Sequence, residues 1–247
     1  MATVASDLAE LVLTAADPAG LAAFWSGVLR RPVDDPGTTV LPVAPTELPI
    51  RFVPTAAKKD GPNQMHFDLT SSSLEDQEST VARALERGGR HLDIGQGPDA
   101  DHVVLADPDG NEFCVIPPGN NFLAGCGTVG ALSSDGTQAV GYFWSEALGW
   151  PLVWDQDEET AIQSPQGGSK ISWGGPPVRP KTGRNRLHLH LHLTAAPADA
   201  GGVDAEVDRL VALGASRLDA EHAEPSCLQH GWVPLADPAG NELCIRG

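Results

Sequence analysis

The apolar positions at the start of the chain change from a continuous run to a helical spacing. Residues 8–15 form an apolar and mixed run, which is typical of a buried strand. Asp17 and Pro18 then give a helix start, because Asp caps helices well and Pro suits the first helical position. The next apolar residues fall at i, i+3, i+4 and i+7, which predicts one stripe of a helix. This stripe consists of Leu21, Phe24, Trp25 and Val28.

Five further strands and one helix are predicted up to about residue 116. The strands cover residues 38–43, 50–53, 65–70, 103–106 and 112–116. The helix follows residues 65–70, reaches about Arg87 and ends at Gly88 and Gly89, which favour a helix C-cap. The last two strands form a hairpin around the sequence DPDG, whose residues suit a turn. The order strand, helix, strands therefore occurs twice, as two βαβββ units.

The same pattern is repeated in the second half of the chain. The sequence FWSGVL from Phe24 matches FWSEAL from Phe143, and NQMH from Asn63 matches NRLH from Asn185. The nonapeptides ADPDGNEFC from residue 106 and ADPAGNELC from residue 236 agree at seven of nine positions. The offset between the copies grows from 119 to 130 residues, so the second copy has longer loops on the same plan.

With these three motifs in register, the chain resembles the vicinal oxygen chelate superfamily, the group of glyoxalases, bleomycin-resistance proteins and extradiol dioxygenases. The resemblance implies an α+β fold of two tandem modules, over residues 1–121 and 122–247. Each module would contain two βαβββ units with mixed sheets curled round a cleft. The boundary is expected near residues 120–127, a short polar connection that contains glycine.

Composition narrows the choice of partners. The hydrophobic fraction of 41% is enough for a core, and the net charge of −17 disfavours nucleic acid and anionic membranes. No apolar run approaches the ~20 residues that span a bilayer. Four cysteines without framework spacing indicate a reduced cytoplasm and free thiols. The expected partner is a small-molecule ligand, and both a monomer and a homodimer remain open.

The resemblance also implies where a divalent metal would be held, but the ligands there are incomplete. Family members end in DPxGxxxE, whereas Cys114 and Cys244 stand seven residues after Asp107 and Asp237. Both cysteines are interpreted as small buried hydrophobes. No metal cofactor is therefore expected, although a zinc site remains an alternative because zinc accepts N, O and S donors. The family-equivalent positions are Glu10, His66 and Cys114 in the first copy, and His188 and Cys244 in the second.

Glu10 and His66 are the candidate catalytic residues. If the resemblance places them on facing strands of one cleft, they form a carboxylate–imidazole pair, which is the arrangement of an oriented general base. The competing interpretation is a hydrogen-bonded polar pair or a glutamate at a solvated rim.

The sequence LHLHLHL from Leu187 places His188, His190 and His192 on one face of a strand. This row is interpreted as a polar surface that binds ligand or water. It becomes a metal site only if a third element, such as the segment at His230, approaches it. Trp25 and Trp144 lie on the helix stripes and are expected in the core. Side chains expected to line a cleft and bind ligand are His188, His190, Trp173, Trp232, Phe52 and His102.

Taken together, these features favour a metal-independent protein that binds a drug or metabolite. Two alternatives stay open. One is a lyase or isomerase that acts on a carbonyl or phenolic metabolite through Glu10 and His66, and the other is a regulatory protein with vestigial clefts. Which copy is functional and which ligand it binds are left undecided, because this fold hosts many chemistries.

Overall fold

A computed structural model describes residues 6–97, 100–194 and 202–247. The first copy contains β1 (Ser6–Ala15), α1 (Pro18–Leu29), β2 (Thr39–Val40), β3 (Ile50–Pro54), β4 (Met65–Leu69), α2 (Leu74–Glu86), β5 (Arg90–His91), β6 (Val103–Ala106) and β7 (Glu112–Val115). The second contains β8 (Val129–Ser134), α3 (Gln138–Leu148), β9 (Leu152–Gln156), β10 (Glu159–Gln163), β11 (Lys170–Trp173), β12 (Leu187–Leu193), α4 (Gly202–Leu213), β13 (Ser216–Arg217), α5 (Pro225–Gln229), β14 (Val233–Ala236) and β15 (Glu242–Arg246).

The first helix begins and ends as its sequence predicts. The Asp17 carboxylate accepts a hydrogen bond from the backbone N–H of Gly20 at 3.0 Å, and Pro18 occupies the first turn. Arg30 ends the helix in the left-handed conformation. The strand predicted over 38–43 is shorter than expected, since only Thr39 and Val40 form a ladder, with β3. Among the described residues, no helix is long and apolar enough to cross a membrane.

The fifteen strands of the described residues form two mixed sheets, as the α+β prediction requires. Sheet A has the order β13-β14-β15-β12-β1-β3-β2, and sheet B the order β5-β6-β7-β4-β8-β11-β10-β9. Each sheet contains one strand–helix–strands unit from each copy, because β1 pairs antiparallel with β12 and β4 pairs antiparallel with β8. The predicted α+β fold of tandem modules with mixed sheets is confirmed, and each sheet, with the cleft that it lines, combines strands of both copies.

The repeated motifs tie the two units of one copy together on the helix side of the sheets. The indole N–H of Trp25 donates to the carboxylate of Asp107 at 3.2 Å, and Trp144 donates to Asp237 at the same distance. Both tryptophans are 1% exposed, which confirms their predicted place in the core. Burial raises the pKa of Asp107 despite hydrogen bonds from Asn111 and Trp25. The aspartate of each DPxGN signature therefore has a structural role: with its tryptophan it forms a buried hydrogen bond between the two units of a copy, which we call the latch.

Candidate functional site

The face of each sheet opposite the helices forms a cleft. In sheet A, which lines cleft A, the leucines of β12 pack in the core and the alternate histidines point to the other face. His190 stands opposite Glu10 of β1 and beside Cys244 of β15. In sheet B, Asp68 of β4 pairs with Cys114 of β7 in the same way, so each cysteine stands beside the polar residue two positions after the motif histidine, His188 or His66.

Glu10 and His190 are directly hydrogen-bonded. Glu10 Oε1 lies 3.0 Å from His190 Nδ1, and Arg51 Nε donates to Glu10 Oε2 at 2.8 Å. Burial opposes the ionisation of Glu10, but the hydrogen bonds from His190 and Arg51 outweigh it, and the pKa of this carboxyl is lowered. Burial also lowers the pKa of His190 against the pull of Glu10. The pair is therefore a carboxylate and a neutral imidazole, with the Nδ1 proton donated to Glu10.

Helix α5 closes cleft A. Its Cys227 forms a disulfide with Cys244, and its sulfur lies 3.4 Å from His190 Nε2. The ring of Trp232 lies 4.2 Å from the ring of His190, centroid to centroid, and Arg246 covers the other part of the indole at 4.5 Å. The predictions of free thiols and of Cys244 as a simple buried hydrophobe are therefore wrong, because the longer loop of the second copy brings a partner cysteine to β15.

This geometry does not fit the open metal centre that the superfamily implies. Such a centre needs coordination positions that a substrate can reach. Glu10 is occupied by Arg51 and His190, and Trp232 and Cys227 cover the row from outside. His188 and His190 are 1% and 3% exposed, so no approach for a substrate remains.

Cleft B contains a more accessible polar row. The hydroxyl of Ser133 donates to Asp68 Oδ2 at 2.5 Å, and Ser133 and Ser172 lie 3.3 Å apart. His66 Nε2 lies 3.5 Å from Asp68 Oδ1, and its side chain is 33% exposed. Burial and the neighbouring Asp68 raise the pKa of Cys114 to about 12, so its sulfur is a neutral thiol. The predicted burial of Cys114 is confirmed.

An open cavity of about 400 Å³ adjoins this row. His66, Ser133 and Ser172 form its polar wall, and Trp154 and Phe122 form an aromatic wall in which the ring planes are nearly perpendicular, with centroids 6.2 Å apart. Trp154 is 37% exposed, so its ring is accessible to a ligand from solvent.

A larger cavity of about 490 Å³ lies outside both clefts, between loops 54–64 and 181–186. Its two most prominent cations are already paired, Lys59 with Glu112 at 2.6 Å and Lys181 with Glu242 at 2.7 Å. It has no aromatic wall. We therefore place the candidate binding site in the smaller cavity, where a polar surface and an aromatic surface face each other.

The predicted site residues are distributed between these regions. Glu10 and His66 do not meet, because they belong to different sheets. Phe52 is buried in the helix-side core rather than in a cleft, since its strand alternates in the other phase. Trp173 borders the cavity of cleft B, but its ring packs against Gly141 of α3. Of the other histidines singled out from the sequence, His102 is half-buried, and His192 and His230 are exposed.

Several residues of the sites were not predicted as such. Asp68 lies two positions after His66, so strand alternation placed it on the same face. Ser133 and Ser172 carry no motif and become recognisable only through the pairing of β8 with β4 and β11. Cys227 lies in the extended loop of the second copy, and only this extra length indicated that the loop differs.

Four strand–helix–strands units, three of them βαβββ and the first βαββ, form two mixed sheets with α1–α4 on one face and clefts on the other, and they define a vicinal oxygen chelate fold. The glyoxalase-like domain model matches residues 10–116 and 131–246, and the chain belongs to this family. Glyoxalase I from Zea mays superposes with a TM-score of 0.62 at 15% identity, covering 97% of this chain and 92% of that one.

A variant of the same maize enzyme gives a TM-score of 0.59 at 15% identity, with coverage of 97% and 92%. A proposed dioxygenase from Bacillus subtilis subsp. subtilis strain 168 gives 0.53 at 12% identity, covering 99% of this chain and 86% of that one. At these identities the likeness shows the fold alone. A comparison with curated proteins gave no significant match.

Proposed function

We propose that cleft B binds a small planar molecule without a metal ion. The observation that carries this proposal is the open cavity between the aromatic wall of Trp154 and Phe122 and the polar wall of His66, Ser133 and Ser172. Its volume of about 400 Å³ falls within the range of small-molecule sites, roughly 300–1,000 Å³. Cleft A is filled by α5 and Trp232, so binding is assigned to cleft B alone.

The charges around the cavity indicate the class of ligand. Asp135 and Glu159 lie on its rim, and Asp68 lies behind the serines. Arg179 pairs with Asp135 at 2.6 Å and offsets one of these carboxylates. The remaining negative charge disfavours anions. We expect an uncharged or cationic aromatic ring that carries a hydroxyl or carbonyl group, so that the ring stacks on Trp154 and the polar group reaches the serines.

A second candidate function is a lyase or isomerase that acts on a carbonyl or phenolic metabolite. It is favoured by the pairing of the half-exposed His66 with Asp68, which would orient the imidazole as a general base beside the cavity. In this version the carboxylate partner of His66 is Asp68 and not Glu10. The two functions share one site and differ in turnover, so product analysis distinguishes them.

The experiment is a titration of tryptophan fluorescence with matched sets of neutral, cationic and anionic aromatic compounds. We expect saturable quenching by neutral or cationic members, lost in Trp154→Phe and kept in Trp150→Phe, whose ring lies outside cleft B. His66→Ala should weaken binding about 5- to 150-fold if it makes one buried hydrogen bond, worth roughly 1–3 kcal/mol. Quenching that disappears in Trp150→Phe instead, or a library that changes neither fluorescence nor melting temperature, would contradict the proposal.

A further inference from the structure

Four metal-binding side chains meet beneath α5 in cleft A. His188, His190, Cys227 and Cys244 each offer one donor atom, and these four atoms lie within 4.8 Å of one another. We propose that, when Cys227 and Cys244 are reduced, these four side chains bind one Zn²⁺ and form a closed structural centre. The proposal is independent of the function assigned to cleft B, with which the centre shares no residue.

The donor set is the one that structural zinc prefers. Two imidazole nitrogens and two thiolate sulfurs complete a tetrahedral shell and leave no position for substrate. Thiolate donors also select zinc over magnesium, calcium or manganese, which prefer oxygen. The ligand Cys227 comes from α5, the extra element of the second copy, and the first copy has no helix between β5 and β6 in the described residues. This centre therefore differs in ligands and in accessibility from an open catalytic metal site.

The imidazoles of His188 and His190 each have a ring nitrogen that is available to bind a metal ion. The Nδ1–H of His190 donates a hydrogen bond to Glu10, which leaves the Nε2 lone pair directed toward Cys227 Sγ at 3.4 Å. A carboxylate that fixes the tautomer of a metal-bound histidine is a common outer-shell arrangement. His188 Nε2 is buried and has no hydrogen-bond partner among the described residues. Such an orphaned polar atom is costly unless something binds it, and a zinc ion between the two rings would satisfy it.

The charges also balance. Both rings are almost completely buried, 1% exposed for His188 and 3% for His190, and burial favours the neutral imidazole that binds metal. Two thiolates compensate the charge of Zn²⁺, and the neighbouring Glu10 carboxylate is compensated by Arg51 at 2.8 Å. A buried centre without net charge avoids the large desolvation cost of an isolated ion.

The disulfide and the zinc centre exclude each other, because they use the same sulfurs. A dithiol reductant supplies two electrons and two protons, so that the Cys227–Cys244 bond breaks to two thiols and the reductant becomes a cyclic disulfide. On binding Zn²⁺ the two thiols release two protons. Either state links α5 to β15, so cleft A stays covered in both, and the local redox poise selects which link is present.

The test compares zinc content under reducing and oxidising conditions. The full chain is incubated with ZnCl₂, with or without a dithiol, desalted anaerobically and analysed by mass spectrometry for metal, and its thiols are counted after unfolding in chelator. We expect about one zinc and four thiols per chain after reduction. After oxidation we expect no zinc and two thiols, from Cys114 and Cys126. Co²⁺ in place of zinc should give sulfur-to-metal charge-transfer absorption and intense tetrahedral bands.

Variants assign the ligands. Cys227→Ser and His188→Ala should each lose zinc and the tetrahedral cobalt spectrum, whereas Cys126→Ser and His222→Ala should retain both. Circular dichroism checks that each variant is folded, and Glu10→Gln, which removes no ligand, should keep the stoichiometry but weaken zinc affinity about 10- to 100-fold. Folded, fully reduced wild type without zinc would overturn the proposal. So would zinc that persists in Cys227→Ser and disappears in Cys114→Ser, since that outcome places the ion in cleft B.

Discussion

The carboxylate of Glu10 lies 3.0 Å from the imidazole of His190, although 180 residues separate them along the chain. Glu10 belongs to the first copy and His190 to the second, and the antiparallel pairing of β1 with β12 brings them face to face. The contact therefore forms only when the two copies pair in this register. It also sets the charge state of the most buried polar cluster in cleft A.

Replacing Glu10 by Gln should destabilise the protein by about 1–3 kcal/mol, because a charged hydrogen-bond acceptor is lost from a buried site. The pKa of Glu10 is lowered in the folded state, so its contribution is present above its unfolded pKa of roughly 4.3 and is lost as pH falls through the lowered folded value. Urea unfolding at pH 7 and at pH 3 checks this. A Glu10→Gln penalty that is equal at both pH values would contradict the assignment.

His188 should make the protein sensitive to mild acid. Its folded pKa of about 3 lies below the unfolded value of roughly 6.5, so the unfolded chain takes up a proton first as pH falls. The free energy of unfolding should therefore decrease below pH ~6.5 by up to about 1.4 kcal/mol per pH unit from this group. His188→Gln should flatten the profile between pH 6.5 and 4. The exposed His222 is the control, and an unchanged slope in His188→Gln would refute the assignment.

Replacement by Phe should destabilise the protein at Trp25 and Trp144, the two latch tryptophans, and be tolerated at Trp154 in cleft B. Trp25→Phe and Trp144→Phe each remove an indole N–H from a buried carboxylate, Asp107 or Asp237, at a cost of roughly 1–3 kcal/mol plus the lost packing. Trp154→Phe lies at a 37% exposed position and should change stability by less than about 1 kcal/mol. Thermal melts of the three variants make the comparison. Equal effects at all three positions would be inconsistent with the latch.

Cys114 should resist thiol reagents in the native protein. Its pKa of about 12 and its burial leave almost no thiolate at pH 8. Cys126 is only half-buried, although burial raises its pKa as well, and it should be alkylated first. Timed iodoacetamide labelling with peptide mass spectrometry resolves the order. Labelling of Cys114 before Cys126 in folded protein would show that cleft B opens more widely than its geometry implies.

Local patterns predicted the elements well. The helical stripe through Phe24 and Trp25, the alternation of β12 and the hairpin turn at Asp107 all specify structure over a few residues. Together with the repeat they led to the correct superfamily. The predicted domain division at residues 120–127 stays a prediction.

Local sequence patterns did not predict which strands pair with one another. Within either copy and between copies, the strands available to β1 have the same alternation, so periodicity alone does not choose β12. The pairing of Glu10 with His66 failed for this reason. The motif match located His66 and His188, and only the strand pairing shows that Asp68 lies beside Cys114 and His190 opposite Glu10. Helix α5, which covers cleft A, lies in the longer loop of the second copy, and the repeat does not predict it.

The crossing of the copies makes the two clefts composite. Each cleft is built from one half of the first copy and one half of the second. A chain that is cut between β7 and β8, in residues 116–128, would therefore give two fragments, and each fragment would carry half of both clefts and the whole of neither. Neither fragment would contain a complete site, and a complete site would form only when the two fragments associate. Substitutions in either copy can therefore reach either cleft, the covered one or the open one.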